Sequence, residues 1–348
     1  MNRENPGHRI NPQPTMHDVA RLAGVSIKSV SRVINREPHV SAKLRARIDL
    51  AIDQLGYVPD LAARSLAGAR SFTLGALFDV PSQQYTMKIQ AGLYRACVEH
   101  QYHLRFEHID STVAPAVLEE ALARFLRRSR VDAVVLTPPL SDDPVLLDYL
   151  DRKGVPYSRI APFLDPARSA GTRIDDETAA AAIADLLWSH GHRRFAIVNG
   201  PDRHGAAVAR RKGFIARLQQ HDPSINPSEV FGGFDFVPGI AAGRKLLAQI
   251  PRPTAIFATN DDSAAGTMVA IREAGLSIPA DISICGFDDS WVATSVWPLL
   301  TTVLQPIEEM AYVAACLVLQ RPDQQNPAAL QTLDYTMIER DSVGAAPA

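Results

Sequence analysis

The chain of 348 residues is long enough for two or three domains, and its 46% hydrophobic and 21% charged residues are typical of a globular protein. Its longest apolar run, residues 311–320, is shorter than the roughly 18 residues of a membrane helix, and we expect no signal peptide. Three scattered cysteines favour a reducing cytoplasm over a disulfide framework.

Charge is distributed unevenly along the chain. Residues 1–70 hold 11 Lys and Arg against 6 Asp and Glu, whereas the whole chain has a net charge of −2. A basic N-terminal segment on an acidic remainder suggests that the segment meets a polyanion such as DNA. An excess of this size also arises by chance, so the charge alone leaves both interpretations open.

The first 14 residues predict a disordered tail, and residues 15–57 predict three short helices. Thr15 begins a capping-box pattern for the first helix, and Gly24 allows a sharp turn after it. Ser26 and Ser41 are suited to cap the next two helices. Apolar residues at helical spacing predict a shared core: Val19, Leu22 and Ala23, then Val30, Val33 and Ile34, then Leu44, Ile48, Ile52 and Leu55.

The second predicted helix has a polar face opposite its apolar one. Lys28, Ser31 and Arg32 lie on this face and can donate hydrogen bonds. Two helices joined by a short turn, the second rich in donors, are typical of a helix-turn-helix that reads DNA. A plain three-helix bundle has the same pattern and is the alternative interpretation.

Residues 58–70 predict a further helix of about two turns, which starts near Pro59 and ends at Gly68. A helix this short is not stable alone in water. It therefore needs a partner, such as DNA together with a second copy of the chain, or else the segment is a simple linker.

From residue 71 onward, short β-type runs alternate with helical stretches, which predicts parallel sheets wrapped by helices. The strand-like runs are 72–78, 102–109, 131–137, 194–200, 254–259 and 281–287. The helical stretches lie near 87–101, 115–129, 144–152, 178–189, 205–220, 238–249, 262–274 and 307–319. The pattern predicts two doubly wound subdomains with a ligand cleft at the carboxyl ends of their strands.

The predicted boundaries divide this α/β region, residues 71–341, as follows. The first subdomain comprises about 71–170 and 303–329, and the second comprises about 171–302 and 330–341. The chain is expected to cross between them three times, the last time within 321–329. Residues 342–348 are expected to form a tail.

The motifs DVARLAGVSIKSVSRVIN, HVS, LGYVP and ARSLAG resemble those of the LacI/GalR family of bacterial transcription regulators, and the resemblance extends over residues 15–340. It implies a helix-turn-helix domain, a hinge helix and a periplasmic-binding-protein-like core. It also implies a homodimer that acts as a repressor on double-stranded operator DNA in the bacterial cytoplasm, associated with the nucleoid and not with a membrane. A small effector in the cleft would control operator affinity.

The resemblance also implies which residues contact DNA. Ile27 and Lys28 match positions that choose the operator, and Ala63 and Leu66 match hinge residues that enter the minor groove, where a leucine wedge kinks DNA. The full set of implied contacts is Thr15, Ser26, Ile27, Lys28, Ser31, Arg32, His39, Ser41, Ala63 and Leu66.

Eight residues near strand ends match family positions that face the effector: Asp79, Tyr85, Asp175, Arg210, Phe234, Asn260, Asp288 and Gln305. Carboxylates and amides bind sugar hydroxyls, and an aromatic ring covers the flat C–H face of a pyranose. Several carboxylates with few positive charges favour a neutral sugar or glycoside over an anion. Taken singly, Asp288 could instead cap a turn, and Arg210 could lie on a solvated basic face.

The sequence departs from the usual family pattern around residues 79–87, at Asp176, and at Trp291 and Trp297, so effector identity stays open. The chain has no nucleophile elbow, P-loop or dinucleotide motif, and we predict neither an enzyme nor a resident cofactor. His190 and His192 lack a third ligand, so no metal is predicted. The competing hypothesis is a solute-binding or sugar-active protein with an incidental helical head.

Overall fold

The computed structural model describes residues 14–34, 40–57, 70–79, 83–320 and 329–347. The chain divides into two compact units, Met1–Phe72 and Thr73–Ala348, which we call the head and the body. Apart from residues 14 and 70, the predicted N-terminal tail and hinge helix lie outside the described residues.

The head contains the three predicted helices, α1 (Met16–Ala23), α2 (Ile27–Ile34) and α3 (Ala42–Leu55). A capping box joins Thr15 and Asp18 at the start of α1, and the Thr15 amide donates to the Asp18 carboxylate at 2.9 Å. Gly24 ends α1 in the left-handed region, with φ of 61°. The Ser41 hydroxyl accepts from the Leu44 amide at 3.3 Å and caps α3. The local signals therefore position all three helices as predicted.

The core of the head differs from the predicted one most clearly on α1. Val19, Val30 and Ile48 are fully buried, as expected. Leu22 is 50% exposed, however, and Ala20 is buried in its place. The buried arc of α1 is centred on residues 19, 20 and 23, so the helix is rotated from the orientation that its larger apolar residues indicate.

The first subdomain of the body is built on a six-stranded parallel sheet. Its strands are β1 (Thr73–Phe78), β2 (His103–His108), β3 (Ala133–Leu136), β4 (Tyr157–Ile160), β5 (Ala170–Arg173) and β11 (Leu330–Thr332), in the order β11-β5-β4-β3-β1-β2. The helices α4 (Gln83–His100) and α11 (Ile307–Leu319) cover one face of this sheet. The other face packs against α5 (Pro115–Ser129) and α6 (Pro144–Lys153).

The second subdomain has a four-stranded parallel sheet. Its strands are β6 (Phe195–Asn199), β7 (Ser228–Phe231), β8 (Ala255–Ala258) and β9 (Ser283–Cys285), in the order β7-β6-β8-β9. One face packs against α7 (Asp176–Ser189) and α8 (Gly205–His221), and the other against α9 (Phe236–Leu247) and α10 (Asp261–Glu273). The two doubly wound subdomains predicted from the sequence are thereby confirmed.

The predicted boundaries between the subdomains are wrong at two places. Residues 171–173 and 330–332 belong to the first sheet, because β11 pairs with β5 and β5 pairs with β4. The chain therefore crosses to the second subdomain after Thr332. Residues 321–328, where the sequence predicts this crossing, lie outside the described residues. Two further strands, β10 (Thr302–Leu304) and β12 (Thr336–Ile338), pair antiparallel along this crossing.

Residues 342–346, which the sequence predicts as part of a C-terminal tail, are packed against the body. Ser342 is fully buried, and its hydroxyl accepts a hydrogen bond from the Thr301 amide at 2.9 Å. The Ala346 amide donates to the His190 carbonyl at 2.8 Å. These residues pack against the second subdomain because the chain returns to it after β11.

No helix in the described ranges is long and apolar enough to cross a membrane.

Candidate functional site

The outward face of α2 carries four of the ten side chains predicted to contact DNA. Lys28 is exposed and Ile27 is 39% exposed, so both are available at the start of the helix. Ser31 and Arg32 are half-buried one turn further along. A cation and an apolar side chain at the start of a recognition helix are suited to phosphates and base edges in a major groove.

The remaining predicted DNA contacts divide into two groups. Thr15, Ser26 and Ser41 are exposed and each precedes a helix of the head. The Ser26 hydroxyl accepts from the Ser29 amide at 3.2 Å, so it caps α2. The other predicted contacts lie outside the described residues: His39, Ala63 and Leu66.

The body contains a cavity of about 280 Å³ between its two subdomains, at the carboxyl ends of the strands. Six of the eight residues predicted to face an effector line it together: Tyr85, Arg210, Phe234, Asn260, Asp288 and Gln305. This volume is near the lower end of the roughly 300–1,000 Å³ typical of ligand pockets, so the cavity suits a small ligand.

Arg210 is buried at the centre of the polar side of this cavity. Its Nε donates to Asp176 Oδ1 at 2.8 Å, and its Nη1 donates to the Thr259 carbonyl at 2.7 Å and lies 3.4 Å from Asp288 Oδ1. The guanidinium also lies 3.7 Å from the centre of the Phe287 ring. The interpretation of Arg210 as part of a solvated basic face is therefore wrong.

Asp288 supplies the principal carboxylate of the cavity. Its backbone has φ of 114°, and its Oδ1 accepts from Gln305 Nε2 at 2.6 Å. Burial raises the pKa of Asp288, and the nearby Arg210 guanidinium opposes that rise. Burial also raises the pKa of Asp261, and the charge of Asp288 adds to the rise. The contacts with Gln305 and Arg210 hold the Asp288 carboxylate in place at the cavity wall.

The aromatic side of the cavity is formed by Phe234 and His204, whose rings meet edge to face at 5.2 Å. Burial lowers the pKa of His204 to about 4, so its ring is neutral at cellular pH. Asn260 donates from Nδ2 to the Phe234 carbonyl at 3.0 Å, and its Oδ1 accepts from the Ser263 amide. Asn260 therefore holds the Phe234 loop in place as well as lining the cavity.

Two of the predicted cavity residues do not line it. Asp175 is exposed, and its carboxylate accepts from the Thr178 amide at 3.0 Å to cap α7. The neighbouring Asp176 pairs with Arg210 instead. Asp79 is buried beside the cavity and lies 3.4 Å from Nη1 of Arg203, which does line it.

Sequence reasoning missed Arg203 and His204. Both follow β6 directly, in the loop sequence GPDRHG, and line the cavity. Their position after a parallel strand is the signal that could have identified them.

His192 has a structural place in the second subdomain. It is fully buried, and its ring nitrogens lie 3.1 Å from Thr254 Oγ1 and 2.9 Å from Ser283 Oγ. Over the described parts of the chain, no three His, Cys, Asp or Glu side chains gather as metal ligands would.

Comparison with protein families matches both units. Residues 15–60 match the model of the bacterial regulatory proteins of the lacI family. Residues 184–343 match the periplasmic binding protein-like domain. The ribose operon repressor of Escherichia coli (strain K12) is 32% identical over 318 residues, which cover 89% of this chain and 93% of the repressor.

Solved structures give the same fold over nearly the whole chain. A lac repressor dimer bound to operator and the anti-inducer ONPF superposes with a TM-score of 0.76 at 27% identity, covering 95% of this chain and 99% of that one. A complex of the transcriptional regulator CelR with cellobiose has a TM-score of 0.72 at 30% identity, covering 94% and 99%.

Proposed function

The chain belongs to the LacI family of bacterial regulatory proteins, and from this premise we propose that it is a ligand-controlled repressor. The head binds operator DNA through α2, and the cavity of the body binds a small neutral sugar or glycoside. The single observation that carries this proposal is that six predicted ligand-facing residues line one cavity in a chain that also has a helix-turn-helix head. The protein is then a regulator in the bacterial cytoplasm and not an enzyme.

The charges around the cavity support a neutral ligand. Arg210 is paired with Asp176 at 2.8 Å, and Arg203 lies 3.4 Å from Asp79. Both arginines are therefore compensated, and an anionic ligand would lose solvation without gaining an uncompensated cation among the described lining residues. Hydroxyl groups of the sugar would hydrogen-bond to Asp288 and Gln305, and a C–H face of its ring would pack on Phe234.

Ligand control requires only a modest preference for one arrangement of the subdomains. A ligand that binds one arrangement a hundredfold more tightly shifts the equilibrium by about 2.7 kcal/mol. We infer that this shift changes the alignment of the two heads of a dimer with the two halves of an operator.

The decisive experiment is a gel-shift assay with DNA from upstream of the protein's own gene. We expect a sequence-selective complex whose affinity falls steeply with salt, because phosphate contacts release counterions. A sugar that stabilises the protein in a thermal-shift screen should change this affinity. The absence of any salt-sensitive specific complex would favour the solute-binding or sugar-active alternative.

An exposed apolar face on the first subdomain supports a homodimer. Met87, Tyr94 and Val98 recur on one side of α4 and are 66%, 65% and 59% exposed, and Phe106 on β2 is 40% exposed. Met87, Tyr94 and Phe106 border a groove of about 620 Å³. Apolar patches of this kind mark protein interfaces, and we propose that a second copy of the chain covers it.

Replacing Tyr94 with aspartate should dissociate this dimer. Truncating a buried tyrosine anchor typically costs about 2 kcal/mol, so we expect the dimer dissociation constant to rise roughly thirtyfold or more. Analytical ultracentrifugation across protein concentration measures it. Val117→Asp is the matched control, because Val117 is 56% exposed on α5, against the opposite face of the sheet. Equal behaviour of the two variants would contradict the assignment of this face.

Replacing Leu66 with alanine should weaken operator binding without affecting the ligand. Leu66 matches the hinge position whose side chain wedges between base steps, and the shorter alanine cannot kink the DNA. We expect operator affinity to fall roughly tenfold or more, by about 1.4 kcal/mol, in a fluorescence anisotropy titration. Full operator affinity in this variant would show that the hinge assignment is incorrect.

A further inference from the structure

The helix α4 of the first subdomain contacts the loop of the second subdomain that carries Asp288. Lys88 Nζ donates to the Asp289 carbonyl at 3.0 Å and lies 3.5 Å from the Asp288 carbonyl. One turn earlier on α4, Gln84 Oε1 accepts from the Trp291 amide at 3.0 Å. Two polar side chains of one subdomain thus bond the backbone of the ligand loop in the other.

This loop has a backbone conformation that its neighbours must maintain. Asp288 and Asp289 have φ of 114° and 45°, both in the region that L-residues seldom occupy. Residues persist in such conformations only where the surroundings over-determine them. On the side of the second subdomain, the Asp288 amide donates to the Val303 carbonyl at 2.8 Å and Arg340 Nη2 donates to Asp289 Oδ1 at 2.6 Å. The contacts to the two loop carbonyls come from Lys88.

We propose that Lys88 is a positioning residue that orients Asp288 toward the ligand and couples ligand binding to the arrangement of the two subdomains. This inference rests on the proposed function, because it takes Asp288 as a ligand contact. The backbone bonds hold residue 288 in the conformation that directs its carboxylate to Arg210 and Gln305. A ligand that fixes Asp288 therefore favours the state in which α4 and the loop meet.

The coupling also reaches the proposed dimer face. Lys88 is adjacent in sequence to Met87, and Tyr94 lies six residues further along the same helix. The helix α4 is bonded to the loop that carries Asp288, and it also exposes the apolar face. A shift of that loop would therefore move the face that a second copy of the chain contacts. By linkage, the state of the dimer would affect ligand affinity to the same extent.

The test compares Lys88→Met with Lys212→Met in the full-length protein. Methionine keeps most of the apolar stem of lysine and removes the donor. Lys212 is the control, because its side chain is 64% exposed and pairs with Glu177 at 2.8 Å on the surface. Lys88→Gln, which retains a donor, is the second variant if the methionine variant does not fold, and we expect a smaller effect from it.

The first measurement needs no ligand. Hydrogen exchange of the amides of residues 288–292 should accelerate at least tenfold in Lys88→Met and remain unchanged in Lys212→Met. Unchanged exchange in Lys88→Met would overturn the positioning role, whatever the ligand proves to be.

The second measurement tests the coupling, with cellobiose and D-ribose as probes. For a sugar that alters the operator affinity of the unmodified protein, we measure the fold-change in affinity that the sugar causes. In Lys88→Met this fold-change should be at least tenfold smaller. Operator affinity without sugar should stay within twofold. An unchanged ratio would overturn the coupling. If the unmodified protein binds no operator, the proposed function fails, and the exchange measurement still decides the positioning role.

Discussion

Replacing Arg210 with alanine is expected to abolish the response to ligand and to destabilise the body by about 3–5 kcal/mol. Arg210 is buried and paired with Asp176 and Asp288, so its removal leaves two largely buried carboxylates, 10% and 18% exposed, without their cation. It also removes a hydrogen bond to the Thr259 carbonyl. For the ligand, the loss of a charged donor typically costs about 1.5–3 kcal/mol, or roughly tenfold to a hundredfold in affinity.

Arg211→Ala is the matched control for Arg210→Ala. Arg211 is the next residue on α8, and its Nη2 pairs with Glu229 Oε1 at 2.6 Å on the surface. An exposed pair of this kind contributes roughly 0–1 kcal/mol. Thermal unfolding and isothermal calorimetry with a responsive sugar measure both variants, while operator binding without ligand reports on the head. Wild-type ligand affinity in Arg210→Ala would refute the assignment of the cavity.

The second large effect is expected from Val30→Asp, which should abolish operator binding while ligand binding to the body survives. Val30 is fully buried in α2, in the cluster that includes Val19 and Ile48. Burying an unpaired carboxylate costs several kcal/mol. A unit of this size has a stability of roughly 2–6 kcal/mol, so the head should unfold. The body is a separate compact unit and should remain folded.

The control for Val30→Asp is Leu22→Asp, an equally drastic change at an exposed position of α1. Because Leu22 is 50% exposed, we expect the head of this variant to remain folded and resistant to limited proteolysis. The apolar pattern of the sequence instead predicts that both variants unfold. Rapid proteolysis of the head in Leu22→Asp would therefore contradict the structure.

The parts of the fold that sequence reasoning predicted correctly depend on local signals. Thr15, Gly24 and Ser41 act on the few residues beside them, and Val30 and Ile48 follow the helical period. Leu22 was misplaced because the rotation of a short helix is decided by the helices it packs against. Residues 330–332 were assigned to the second subdomain because the pairing of β11 with β5 joins residues far apart in the chain.

The sequence predicts that the candidate site lies at the ends of the strands. It does not predict which side chains of the site bond to each other. Asp175 and Asp176 are adjacent carboxylates, and only the three-dimensional arrangement decides that one caps a helix and the other pairs with Arg210. Arg203 carries no motif, and its role follows from the loop that brings it to Asp79. Residue type and position after a strand therefore predict which residues lie near the cavity. Tertiary packing decides which side chains bond to each other.

The bonds that join Arg210, Asp288 and Gln305 have a consequence for selectivity. These side chains hold one another before any ligand arrives, so little rotamer freedom is left to lose on binding. Under the proposed function, a sugar that lacks the hydroxyl facing Asp288 would lose one hydrogen bond to a charged acceptor. Such a bond typically contributes about 1.5–3 kcal/mol, so we expect the deoxy analogue to bind roughly tenfold to a hundredfold more weakly.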